Sequence, residues 1–183
     1  MQSRRHYGIM EADKRTRRRP IYKEVITMIT MAQGNLKRCV AARLSPGENL
    51  LAGLEKVCET YGIQDGILLS AIGSLDGFTY LDPIADPNCK AGYRYGTPNH
   101  VDDPVSVMNL SGMICHDAEG KRLLHVHGVV ADTKGRAWGG HVTEDNVVLL
   151  TVDVVIGELG DGIEMGRGYD PDLEVMIFAP KQV

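Results

Sequence analysis

The chain has 183 residues, 43% of them hydrophobic and 24% charged, the balance of a soluble globular domain with a real core. No apolar run approaches membrane-spanning length, which excludes an integral helical membrane protein. The charged N-terminus has no apolar segment leading to a small-residue cleavage site, so no secretory signal is expected and the protein is read as cytoplasmic. The four cysteines, Cys39, Cys58, Cys89 and Cys115, form no CxxC pair, which excludes a zinc ribbon or a thioredoxin-like motif and reads as reduced thiols.

Charge is unevenly spread. Residues 1–30 hold eight Lys/Arg against three acids, while the rest of the chain has 12 basic and 21 acidic residues, a net of −9. Residues 1–33 therefore read as a basic extension ahead of a domain over 34–183. Within the extension, Arg17, Arg18 and Arg19 are the candidate nucleic-acid contacts, and a solvated tail is the blander reading. An acidic body repels a phosphate backbone.

In chain order, Leu36–Leu44 reads as a strand. Ser45, Pro46 and Glu48 then suit an N-cap, a first helical position and a capping box. The helix this starts runs to about Tyr61, with Leu50, Leu51, Leu54, Val57, Cys58 and Tyr61 on one stripe and Gly62 to end it. Gly66–Leu75 is an apolar strand that Phe78–Leu81 extends past a turn. Residues 82–103 are rich in proline and aspartate and read as a long surface excursion. Val105–Ser111 alternates as a strand, and His116–Lys121 is a turn. Val147–Ile156 is a strong strand, Gly157–Asp172 a glycine-rich loop, and Leu173–Ala179 a closing strand. About seven strands and one main helix make a single α+β domain with an antiparallel-dominated sheet.

The chemistry concentrates in Leu123–Val142, LLHVHGVVADTKGRAWGGHV, with three of the six histidines and the one tryptophan. The stretch reads as a β-hairpin turning at Asp132-Thr133-Lys134-Gly135. His125 and His127, two apart, share a strand face. A two-residue loop sends His141 to the other face; a three-residue loop sets His127 opposite His141 and gathers all three imidazoles. Gly135 suits the left-handed position of the three-residue loop, and a bulge at Gly139-Gly140 would shift the register by one. Three converging imidazoles with space for a fourth ligand are a site for zinc or a similar borderline metal. Trp138 is either a packing anchor or part of a ligand wall, and His100 is a further histidine able to approach the site.

The helix segment LSPGENLLAGLEKVCETYGIQDGILLSAIGSL, the strand ending Leu110-Ser111-Gly112, the His-x-His, Ala-Asp-x-x-Gly-Arg and Gly-Gly-His series and VVLLTVDVVI together resemble the PPC family (plants and prokaryotes conserved domain). That family is described as predicted DNA-binding proteins with a PD-one-like motif. The resemblance covers about Leu36 to Ala179 and implies a compact α+β domain that assembles as a homotrimer, with His125, His127 and His141 as a metal site, most plausibly zinc. Plant relatives join the domain to AT-hooks built on Arg-Gly-Arg-Pro. Here Arg17-Arg18-Arg19-Pro20 lacks that glycine. The Gly-Arg-Phe-Glu-Ile-Leu segment of plant relatives aligns with Asp103–Met108, where Ser106 replaces the glutamate. Asp153 stands where many relatives have glutamate.

Three functions follow as expectations. The first is a trimeric metal-binding domain with a regulatory or interaction role. The second is a metal-dependent enzyme, hydrolase or lyase, with Asp132, Glu144 or Asp153 as general base at an open zinc position. The third is direct DNA binding, as the family description suggests.

Overall fold

The computed structural model describes residues 29–183, so the reading of Arg17, Arg18 and Arg19, and of the extension up to residue 28, falls outside the described residues. In chain order the strands are β1 (Asn35–Leu44), β2 (Gly66–Leu75), β3 (Phe78–Leu81), β4 (Pro83–Ala85), β5 (Tyr93–Tyr95), β6 (Asn99–Val101), β7 (Val105–His116), β8 (Arg122–Asp132), β9 (Ala137–Val142), β10 (Val148–Gly160), β11 (Ile163–Asp170) and β12 (Val175–Gln182); one helix, α1 (Leu50–Tyr61), lies between β1 and β2. The large sheet runs β1-β10-β2-β7-β8-β9-β3-β6, with the β11–β12 hairpin joined to β7. All its pairings are antiparallel except the single parallel bridge between Gly166 and His116. Among the described residues the expected α+β class and the single helix stand, and seven strands become twelve.

The extra strands come from two segments read as loops. Within residues 82–103, β4 and β5 pair as a separate ribbon and β6 pairs with β3. Proline and aspartate crowd the turns between these three-residue strands and hide them from any period-2 signal. The glycine-rich stretch from Gly157 holds the end of β10 and all of β11. Gly157 serves close approach rather than looping, since a Cβ there would lie 2.7 Å from Leu36 Cδ1 and 3.1 Å from Leu69 Cδ1, whereas Gly162, φ 103°, belongs to the β10–β11 turn.

Two local readings are also revised. The helix begins one turn later than Ser45-Pro46 suggests. Asn49 is its N-cap and accepts from the Ala52 N–H at 2.9 Å, while the Glu48 carboxylate accepts from the Ser45 N–H in the preceding turn. At the other end Gly62 takes the left-handed conformation, φ 65°, as expected. The second revision concerns β3. It does not continue alongside β2 but lies at the far side of the sheet, between β9 and β6.

Leu50, Leu54 and Cys58 of α1 are fully or almost fully buried and join Leu68, Val126 and Ile156 in one apolar cluster. Alternation along β8 is strict where it matters: Val126, Gly128 and Val130 face this core, so His125, His127 and Val129 face away from it.

Candidate metal centre

The three-residue turn is the one formed. The Asp132 N–H donates to the Arg136 carbonyl at 3.0 Å, the Gly135 N–H to the Asp132 carbonyl at 3.0 Å, and Gly135 has φ 73°. Register then runs without a bulge, through Val130 opposite Trp138 and Gly128 opposite Gly140, to His127 opposite His141. His125 is two residues further along the same face of β8. The three ring centroids make a near-equilateral triangle with sides of 5.1, 5.2 and 5.3 Å.

One nitrogen from each ring lies within 4.8 Å of the others, so the three can hold a metal ion. His125 Nε2 and His127 Nε2 are 3.2 Å apart. Two nitrogens bound to one tetrahedral ion at ~2.0–2.1 Å would be about 3.3–3.4 Å apart, close to that separation. His141 Nδ1 is buried and has no hydrogen-bond partner among the described residues. The donor set is three imidazoles, and no carboxylate joins the cluster among the described residues.

Burial pushes His125 down to about 4, with Arg167, His141 and His127 adding to the effect; burial also lowers His141, helped by His127 and Arg167. Both imidazoles are therefore neutral at physiological pH, the form that ligates a metal. An unfolded histidine titrates near 6.5, so between about 6.5 and 4 the unfolded chain takes a proton at this position that the folded chain refuses. The metal-free protein is expected to lose stability as pH falls through that window and to gain no further penalty from His125 below it. Melting temperature against pH in chelator, compared with His125→Gln, checks this; an unchanged slope in the variant would contradict it.

The other site candidates lie elsewhere. Asp132 is a buried clasp of the turn: its carboxylate accepts from the N–H groups of Lys134 and Arg136 at 2.9 Å each, from Arg136 Nε at 2.6 Å and from Trp138 Nε1 at 3.1 Å. Burial pushes its carboxyl up, and these donors outweigh that and hold it well below the usual carboxylate range. Trp138 packs against the core beside Val130, with the Arg136 guanidinium 5.2 Å from its ring centroid. Both residues sit on the core face of the hairpin, opposite the histidines. Asp153 pairs with Arg43 at 2.8 Å on β10, which is three strands from β8. His100, on β6, accepts from or donates to Thr79 Oγ1 at 2.7 Å and lies 3.3 Å from Asp102, outside the histidine cluster. Glu144 lines a separate open cleft of about 880 Å³ beside the start of α1.

Two neighbours escaped the sequence reading. Tyr95 of β5 lays its ring 4.9 Å from that of His141. Arg167 of β11 brings a positive charge close enough to act on His125 and His141. Both came from segments read as loops, and no local pattern links either to a histidine more than 25 residues away.

A β-rich single domain with one capped helix and three histidines gathered on an outer sheet face defines the class. The chain belongs to the Plants and Prokaryotes Conserved domain family, whose model matches residues 31–160. It is 32% identical over 143 residues to the bifunctional protein GlmU of a Synechococcus strain, an alignment that covers 78% of this chain and 20% of that protein. The chain thus spans about a fifth of the length of the curated relatives it matches. Among solved structures, a metal-containing protein of Archaeoglobus fulgidus superposes with a TM-score of 0.67 at 20% identity, covering 82% of this chain and 99% of that one. A Bacteroides thetaiotaomicron protein, whose name proposes DNA binding, superposes with a TM-score of 0.63 at 19% identity over 81% of this chain and 96% of its own.

Proposed function

We propose that this protein is a homotrimeric domain that binds one divalent metal ion, zinc, through His125, His127 and His141, in a regulatory or interaction role. The observation that carries this reading is the 3.2 Å approach of two Nε2 atoms with a third imidazole directly opposite on the hairpin. Three imidazoles suit zinc, whose filled d shell accepts a tetrahedral site with one position left for water or ligand. When bound, such an ion supplies a Lewis-acidic position. Asp132, Glu144 and Asp153 lie away from the histidine face, which favours binding over hydrolysis. Trimer formation is supported by apolar side chains left exposed on strands of the large sheet, among them Leu69, Ile72, Met108, Val129 and Leu150.

Metal analysis of the purified protein tests the proposal. About one zinc ion per chain is expected, with its loss in His127→Ala. Changes behind a metal ligand commonly weaken binding 10–100-fold, so removing a ligand itself is expected to cost about a hundredfold or more. Wild-type protein that remains metal-free after incubation with zinc would overturn the reading, whatever its mass in solution.

DNA binding is the second reading, favoured by the name of the Bacteroides relative. The net charge of −9 beyond residue 30 weighs against the body of the domain as the contact surface.

A further inference from the structure

The β4–β5 ribbon leaves the sheet beside the histidines and is fastened at its other end to a different part of the fold. Leu81, the last residue of β3, lies opposite His141. A Cβ on Gly140 would come within 2.7 Å of the Leu81 carbonyl and 3.0 Å of Asp82 Oδ1, so the base of the ribbon sits tightly against β9. The Gly96 N–H donates to the Asp82 carbonyl at 3.0 Å and closes that base. Just inside it, the Tyr95 ring lies against His141, with centroids 4.9 Å apart. His141 Nδ1 is buried although its strand face points away from the core.

At the far end, Lys90 Nζ donates to the Pro171 carbonyl at 3.0 Å and pairs with Glu174 at 3.1 Å. Both belong to the turn of the β11–β12 hairpin, whose bridge to the main sheet is on β7, across β8 from β9. The ribbon thus starts on one flank of the histidine strands and is held on the other. It is also built to move as one piece. β4 and β5 pair only with each other. The tip is tied internally, by the Asp86 N–H donating to the Gly92 carbonyl at 2.9 Å and Arg94 Nε donating to Asp86 Oδ2 at 2.7 Å. Among the described residues, the hydrogen bonds and ion pairs from residues 83–95 to the rest of the chain all start at Lys90. The side chains of Lys90 and Glu174 are about half exposed, so this fastening is weak and sensitive to salt. An isolated two-stranded ribbon has little stability of its own, and an opening that breaks so few contacts costs far less than global unfolding.

We propose that the β4–β5 ribbon is a strap over the histidine centre, latched by Lys90 to the β11–β12 turn, and that release of this latch governs access to His141 and the rate at which a metal ion enters and leaves. The strap stands on geometry alone; its effect on a metal ion rests on the metal reading.

Diethyl pyrocarbonate, which acylates neutral imidazole nitrogens, reads access in the metal-free protein when labelling is resolved by peptide mass spectrometry. His141 is expected to react about three- to tenfold faster in Lys90→Ala than in wild type, the consequence of losing one exposed ion pair and one hydrogen bond. His100 and His116, outside the centre, are the references and keep their rates. Lys90→Glu should act like Lys90→Ala, and adding Glu174→Lys to it should restore slow labelling in good part. On protein shown by metal analysis to hold zinc, release to a chelator is expected to quicken by a similar factor while the equilibrium affinity stays within about twofold, because Lys90 touches no histidine. Should zinc fail to bind, the metal reading falls by itself and His141 labelling still decides the strap. Equal His141 labelling in wild type and Lys90→Ala overturns the proposal. So does an equal rise at His100 and His116, which marks general loosening, or unchanged release from protein that binds zinc. Thermal melts confirm that each variant is folded.

Discussion

Phe78→Ala is expected to destabilise the protein by about 3–5 kcal/mol, the range for truncating a buried aromatic ring. Phe78 is fully buried and stacks on Tyr80 with ring centroids 5.2 Å apart. It also lies directly beneath the histidine strand. Gly128, between His127 and Val129, has no side chain, and a Cβ there would sit 3.4 Å from the tip of the Phe78 ring. The ring thus fills the space under the strand that carries two of the three histidines. Its removal leaves a cavity there, and neighbouring side chains close such cavities only in part. For a chain of this size the loss corresponds to a fall of roughly 6–20 °C in melting temperature. Chemical and thermal denaturation measure it, and Phe78→Leu should retain a good part of the stability. A loss below about 1 kcal/mol would mean that Phe78 does not support the hairpin.

The second large effect belongs to Asp132. Asp132→Ala removes the acceptor for four donors at once, the N–H groups of Lys134 and Arg136, the Arg136 guanidinium and the Trp138 indole. The turn then loses what closes it, and the partly buried Trp138 Nε1 is left unpaired. A fall of the order of 10 °C in melting temperature is expected, because these donors act as one network and their losses reinforce one another. The effect reaches the histidines through register. His141 meets His127 only because Asp132 faces Arg136 across a three-residue turn. Weakened metal retention should therefore accompany the lost stability, although Asp132 sits on the opposite face from the imidazoles. Asp132→Asn keeps an acceptor for the turn amides and should recover part of both. An Asp132→Ala protein as stable as wild type would show that the hairpin holds its register without the clasp.

Much of this was legible before the fold was known, where the information is local. The Gly135 turn, the alternation of β8 and the helix stripe each involve residues within a few positions of one another. The sites where the reading failed share a cause. The helix start was misplaced because Ser45 and Glu48 do interact, but in a turn that precedes the true cap at Asn49. The strands around Gly157 and Gly166 were missed because glycine signals both a loop and a close approach of neighbours, and only the neighbours tell which.

The sequence by itself determined the α+β class and the single capped helix, and it favoured the convergence of His125, His127 and His141 through the Gly135 turn, which the register of the formed hairpin then fixed. Backbone periodicity and turn chemistry act within a hairpin, so these features follow from short-range sequence. Only the tertiary structure decided what surrounds the imidazoles. The β4–β5 ribbon brings the Tyr95 ring against His141, and the charge of Arg167 on β11 helps lower His125 and His141. It also turned Asp132 and Trp138 to the core face and set Asp153 three strands away. Those placements depend on the order of strands in the sheet, which is settled by how apolar faces pack over long separations rather than by any residue's immediate neighbours.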